Sequence, residues 1–211
     1  MTKPVVLAIM GPSASGKDTL AQELVRFLNK QKIWGYITDT SHLIVSDTTR
    51  PKRVGELPGY DYNFITAEEF AKRDTAHMYI DTYVYGPKCW SYGTQKSQLC
   101  AEINVGVFSP SGLTGLERHC KDGYRIIPIL LDAPKYIRLW RSVKRDKGFS
   151  MEHLRRMRQD TIDFDTFKES VPNEDLVIEL DSSKKTNCKL VADVYNILCD
   201  NKIVHTIWGN L

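Results

Sequence analysis

The stretch GPSASGKDT, residues 11 to 19, carries the most specific chemistry in the chain. It follows the pattern G-x-x-x-x-G-K, in which backbone N–H groups cradle phosphate oxygens and the lysine reaches the terminal phosphates. Gly11, Pro12, Ser13, Ala14, Ser15, Gly16, Lys17, Asp18 and Thr19 are therefore the candidate nucleotide-binding residues, with Lys17 as the candidate catalytic cation. One position departs from the pattern. The residue after the lysine normally supplies a hydroxyl to Mg²⁺, and Asp18 stands there. A carboxylate in the first turn of a helix gains about 0.3–1 kcal/mol from the dipole. Against that, repulsion from a phosphate is about 4 kcal/mol per unit-charge pair at about 4 Å in an effective dielectric near 20. A metal between the two reverses the sign, because Mg²⁺ is held by one or two carboxylates plus substrate oxygens. Asp18 is thus expected to face Mg²⁺ or its waters.

A second constellation lies at residues 46 to 64, SDTTRPKRVGELPGYDYNF. Arg50 and Arg53 sit three apart and Tyr62 follows a turn carrying Gly55 and Gly59. Two guanidinium forks and a phenol suit a second phosphate, since Arg pairs bidentately with phosphate oxygens. Two solvated arginines on a surface loop would give the same pattern. A third basic group crowds residues 135 to 158. Other chemistries find little support. The five histidines lack metal spacing, Ser109 and Ser111 do not sit in G-x-S-x-G, and the four tryptophans read as packing residues.

These residues need elements to position them. Residues 4 to 10, PVVLAIM, form an apolar run that ends at Gly11, and Leu20, Leu24, Phe27 and Leu28 then recur at helical spacing. Strand, glycine turn and helix is the context a phosphate loop requires. Val105 to Phe108 and Ile126 to Leu131 read as buried strands, and Pro134 opens a helix through Tyr136 to Val143. Ser150 reads as the cap of a further helix carrying Leu154, Met157, Thr161 and Phe164. Leu176 to Leu180 then precedes a last helix with Val191, Val194 and Leu198. The alternation predicts an α/β fold with a doubly wound parallel sheet and a site at the carboxyl ends of its strands. Residues 46 to 94 break the rhythm and read as an inserted lobe, mostly strand and loop. The tail from Lys202 to Leu211 reads as an extra strand or an interaction segment.

Composition bounds the function classes. A chain of 211 residues fits one domain, and 42% hydrophobic with 26% charged residues is ordinary for a globular protein. Net charge +3 argues against nucleic-acid binding, no apolar run reaches the roughly 20 residues of a membrane span, and the start does not read as a secretion signal. Five cysteines without C-x-x-C spacing point to a reducing cytoplasm.

Together, the two phosphate motifs closely resemble the guanylate kinase family, whose members carry GPS-x-x-GK followed by S-x-TTR-x-x-R-x-GE-x-x-G-x-DY-x-F. Tyr92-Gly93-Thr94 matches its Y-G-[TS], and Arg141, Arg145 and Arg156 match its lid arginines. The resemblance covers roughly residues 4 to 200. It implies a single domain, with a phosphate-loop kinase core at 1–45 and 95–211, a mixed β lobe for the nucleoside monophosphate at 46–94, and a lid at about 141–156. It also implies that the loop binds ATP, that Arg50, Arg53 and Tyr62 hold the acceptor's phosphate with Tyr92 close by, and that Ser46, Asp81 and Thr94 face its base. Arg141, Arg145 and Arg156 would close over the transferring group, a step that depends on positioning and charge neutralisation.

Three departures accompany the resemblance. Asp18 replaces a hydroxyl. Where the family reads close to L-D-I-D-x-Q-G, this chain reads VFSPSG, so that Ser109 falls at an acidic position. The stretch from Asp81, at the place of a base-reading Glu, to Tyr92 is about two residues longer than usual. The expected activity is Mg²⁺- and ATP-dependent phosphorylation of GMP or dGMP by a cytoplasmic monomer or homodimer, with no nucleic-acid or membrane partner. The alternatives are a broad-specificity deoxynucleoside monophosphate kinase, a ribose bisphosphate phosphokinase, and a non-catalytic binding module of the same shape. The ribose bisphosphate acceptor has no base to engage Thr94, and binding modules typically lack the loop lysine.

Overall fold

The structure is a computed structural model that describes residues 3–30, 32–33, 36–37, 41–85, 88–120, 123–170 and 178–200. In chain order the elements are β1 (Val5–Met10), α1 (Lys17–Asn29), β2 (Lys32–Ile33), β3 (Tyr36–Ile37), β4 (Ser41–Leu43), β5 (Asp47–Thr48), β6 (Asn63–Phe64) and α2 (Ala67–Thr75). There follow β7 (Tyr79–Tyr85), β8 (Trp90–Gln95), β9 (Ile103–Val107), α3 (Pro110–Cys120), β10 (Arg125–Asp132), α4 (Lys135–Arg145), α5 (Met151–Ser170), β11 (Ile178–Asp181) and α6 (Asn187–Asp200).

The apolar run at the start becomes the middle strand of a parallel sheet ordered β11-β10-β1-β9-β4. Every residue of β1 is buried, as expected for a strand covered on both faces. Its period of two divides the core. Val5, Leu7 and Ile9 join Leu20, Leu24 and Leu28 of α1 and Val191, Val194 and Leu198 of α6. Val6, Ala8 and Met10 meet Leu113 and Leu116 of α3 and Phe167 of α5 on the opposite face. The expected doubly wound α/β architecture is therefore present, and the loops after β1, β9, β10 and β11 leave the same carboxyl edge.

A second, mixed sheet is ordered β6-β5-β8-β7, with β5 and β6 parallel and the other pairings antiparallel. The one α-helix of this mostly strand-and-loop stretch, α2, is not singled out by the sequence reading, although its start is written as Thr66-x-x-Glu69: the threonine side chain accepts the Glu69 N–H. Phe70 of α2 stacks on Tyr79 of β7 with ring centroids 4.7 Å apart. At the centre lies Asp47, fully buried. Its carboxylate accepts from Arg73 Nη1 at 2.8 Å, Tyr79 Oη at 2.8 Å, Gln95 Nε2 at 2.9 Å and Asn63 Nδ2 at 3.0 Å. One carboxylate thereby ties together every element of this sheet, and its charge is matched by Arg73.

Between α4 and α5 the chain turns through residues 146 to 150. Ser150 stands immediately before α5, and the helix's histidine reaches back to it: Nδ1 of His153 accepts the Ser150 N–H at 3.0 Å, and Nε2 lies 3.1 Å from Asp146 Oδ2. Arg145 bonds the same Asp146 through Nε at 2.8 Å. These bonds hold Asp146 down at about 2, Arg145 contributing most. The tail from residue 202, and Leu176 of the expected last strand, lie outside the described residues.

Candidate active site

Backbone conformation shapes the loop after β1. A Cβ on Gly11 would lie 2.0 Å from the Leu131 carbonyl oxygen, so only glycine lets the loop pass this close to β10. Gly16 caps α1 at φ 99. Ala14 also takes a left-handed conformation, φ 61, at a cost of about 1–2 kcal/mol for a residue with a Cβ. The first intrahelical bond of α1 is donated by Leu20 to Gly16, which leaves the N–H groups of Lys17, Asp18 and Thr19 without partners in the helix. That is an anion site at a helix start. Lys17 folds back over the loop with Nζ 3.4 Å from the Pro12 carbonyl oxygen.

Three side chains from the second half of the chain grip this loop, Arg141, Asp160 and Ser182, whose Oγ donates to the Ser15 carbonyl oxygen at 2.6 Å. Arg141 donates Nη1 to the carbonyl oxygens of Ala14 and Ser15, each at 3.3 Å, and to Ser182 Oγ at 2.9 Å. Asp160 of α5 accepts the Ser13 N–H at 2.9 Å and the Ser13 hydroxyl at 3.0 Å. Arg141 thus engages the loop's carbonyls in this structure, whereas the resemblance assigns it to the transferring group. Ser182 and Asp160 were not singled out in the sequence.

The second constellation folds into a clamp. Arg50 is buried, forks onto Glu56 at 3.0 and 2.8 Å, and lies 5.3 Å from the ring centre of Tyr62. Glu56 also accepts the Arg53 N–H at 2.7 Å. Burial lowers the pKa of Arg53, and the charges of Arg50, Arg145 and Arg156 lower it further. Four guanidinium groups therefore converge, with Glu56 the carboxylate that faces Arg53 directly. Asp146 partners Arg145 and Glu152 partners Arg156. Such a cluster favours a dianion over water. Tyr62 keeps its proton because burial, reinforced by the nearby Asp18 and Tyr92, raises its pKa well beyond the usual phenol value. Tyr92 packs edge-on to Tyr62 at 6.0 Å.

Asp18 is exposed at the start of α1 and shares an open cleft with Ser46, Asp61 and Tyr62. This cleft joins the loop to the clamp. Further along, Ser46 Oγ and Thr94 Oγ1 are 3.0 Å apart, and Thr94 pairs with Asp81 across β8 and β7. Asp81 Oδ2 and Ser109 Oγ both flank Gly112, 3.3 and 3.2 Å from where its Cβ would be. Burial raises the pKa of Asp81, while the Thr82 N–H and Arg118 oppose the rise. Ser109 caps α3, accepting the Gly112 N–H at 3.0 Å and lying 3.0 Å from Ser111 Oγ. That cap occupies acceptor capacity a base would need.

The comparisons with known proteins follow the same division. The family model described as guanylate kinase matches residues 1–106. A guanylate kinase from Rhodopirellula baltica is 33% identical over 102 residues, 48% of this chain and 44% of the relative. One from Clostridium tetani is 35% identical over 107 residues, covering 50% and 45%. In these alignments the chain spans less than half the length of the relatives it matches. Beyond residue 106 the likeness is one of fold. The crystal structure of guanylate kinase from Anaplasma phagocytophilum aligns over 96% of this chain and 88% of its own, with a TM-score of 0.59 and 20% identity.

Proposed function

This chain belongs to the guanylate kinase family, and on that premise we propose that it transfers the γ-phosphoryl group of ATP to GMP or dGMP, yielding ADP and the nucleoside diphosphate. The observation that carries the reading is the cleft shared by Asp18, Ser46 and Tyr62, which sets the end of the phosphate-loop motif and the phenol of the clamp on one opening. A nucleoside triphosphate on one side and a monophosphate on the other would meet there with Lys17, Arg53, Arg145 and Arg156 around them.

In this reading the loop N–H groups hold the donor's phosphates, and Lys17 follows the charge that develops on the transferring group. Arg53 and the protonated Tyr62 donate to the acceptor's phosphate, while Glu56 fixes Arg50 and the Arg53 backbone so that the clamp is preformed. Arg145 at the end of α4 and Arg156 in the first turns of α5 close the site, excluding water that would otherwise take the phosphoryl group. Asp18 fits a role in holding Mg²⁺. Its carboxylate is an exposed hard-oxygen donor with no hydrogen bond among the described residues, and those residues include no group of three His, Cys, Asp or Glu able to hold a metal alone. An ion there would share Asp18 with nucleotide oxygens and water, neutralising phosphate charge.

One observation favours relaxed acceptor choice, the second rung of the same reading. A guanine site reads N–H donors with carboxylates; here Asp81 supplies one, and the Ser109 hydroxyl is engaged at the start of α3. Replacing a charged by a neutral contact relaxes discrimination by about tenfold per 1.4 kcal/mol. The test is a coupled ADP-release assay across the ribo- and deoxynucleoside monophosphates and ribose bisphosphate. The expected result is highest kcat/KM for GMP or dGMP with at least one other nucleotide accepted; ribose bisphosphate as best acceptor, or no ADP with any, would overturn it.

A further inference from the structure

The phosphate loop contains a left-handed alanine, and such a residue persists only where its surroundings over-determine it. Two grips bracket Ala14. On its carboxyl side, Arg141 and Ser182 hold the carbonyl oxygens of Ala14 and Ser15. On its amino side, Asp160 holds Ser13 by both the N–H and the hydroxyl, a two-point fork that fixes the residue before Ala14. The fork is itself anchored: buried Arg138 donates Nη1 to Asp160 Oδ2 at 3.4 Å and Nε to the Ala133 carbonyl oxygen at 2.9 Å.

Asp160 is not placed as a stabilising surface charge would be. Burial raises its pKa, opposed by the two Ser13 bonds and by the charges of Lys17 and Arg138. A carboxylate near the donor's phosphates also repels them. A residue disfavoured on both counts is best explained by what it holds.

We propose that Asp160 is a positioning residue of the donor site: its fork on Ser13 keeps Ala14 left-handed, and so keeps the loop's N–H groups directed at the donor's phosphates. The proposal rests on the reading that this loop takes ATP. It ties ATP binding to α5, the helix that also carries Arg156. A role confined to pinning α5 would alter stability and leave ATP affinity alone.

The experiment is calorimetric titration with Mg·ATP of the unmodified chain and of Asp160→Ala, Ala14→Gly and the double variant. Asp160→Ala should weaken ATP about tenfold, the scale set by the cost of a left-handed alanine, with the acceptor's KM unchanged. Glycine adopts that conformation freely, so Ala14→Gly should restore most of the lost affinity in the Asp160→Ala background. Ser13→Ala removes only the hydroxyl half of the fork and should weaken ATP about threefold, giving a milder version of the same test should Asp160→Ala not fold. Unchanged ATP affinity in Asp160→Ala or Ser13→Ala, or a loss that Ala14→Gly does not recover, overturns the proposal. Failure of the unmodified chain to bind Mg·ATP removes the donor-site reading and the proposal with it.

Discussion

Two carboxylates, the buried Asp47 in the second sheet and the half-buried Asp160 at the phosphate loop, are held in opposite ways. Asp47 meets four donors, all within residues 63 to 95, three from the sheet it organises and Arg73 from α2 packed beside it. Asp160 reaches across 147 positions to Ser13 and steadies a backbone that would relax without it. The first arrangement is complete within its own stretch and stabilises an architecture. The second joins the two halves of the chain and shapes a binding surface. Removing Asp47 should therefore damage folding, while removing Asp160 should damage ligand affinity.

The largest expected effect follows from that contrast. Asp47→Ala takes the acceptor from Tyr79 and Gln95 and leaves Arg73 with Glu69 and Asn63 with the Val45 carbonyl oxygen, and breaking a buried charge pair costs about 3–5 kcal/mol. Urea denaturation should show a loss of that order; a loss below 1 kcal/mol would mean that Asp47 is not the keystone of the second sheet. Next comes Lys17→Ala, expected to lower kcat by about 10²–10³ while leaving the denaturation midpoint nearly unchanged, because this half-buried loop lysine makes one long side-chain hydrogen bond, to the Pro12 carbonyl oxygen, and contributes charge more than packing. Near-native turnover by the folded variant would remove the loop from the chemistry.

The smallest effect concerns a third carboxylate. Asp146, bonded to Arg145 and His153, lies below its usual range at about 2, opposite in direction to Asp160. A depressed carboxylate contributes stability that is fully present above its ordinary value near 4 and lost as pH falls towards 2. The contribution is below about 1 kcal/mol because the Arg145 side of the pair faces solvent. Asp146→Asn should flatten the stability profile between about pH 4 and 2 and leave the neutral range untouched; a profile unchanged between about pH 4 and 2 would contradict this.

The same contrast explains how much was legible in the sequence. The phosphate loop, β1 and α1 are written in contiguous residues, because their apolar spacing and glycines act over a single strand-turn-helix unit. The clamp was legible as Arg50, Arg53 and Tyr62, and Glu56 lies inside the same short motif. The start of α2 was also written, as Thr66-x-x-Glu69, but was obscured by a stretch rich in turn residues. Asp160 and Ser182 were not legible. Nothing in the spacing of α5 or β11 distinguishes a carboxylate or hydroxyl that meets the loop from one that meets water, since the contact depends on how the sheet brings its carboxyl edges together. Ser109 shows the converse. Its place after β9 suggested a base reader, and the same local sequence, Ser-Pro-x-Gly, supplies the helix cap that engages its hydroxyl.

The most direct measurement is ³¹P NMR of the chain incubated with Mg·ATP and GMP. Phosphoryl transfer predicts that the β-phosphate resonances of ADP and GDP appear in equal amounts, with GMP lost in step and no inorganic phosphate. ADP formed with inorganic phosphate instead of GDP, or spectra that do not change with time, would contradict it.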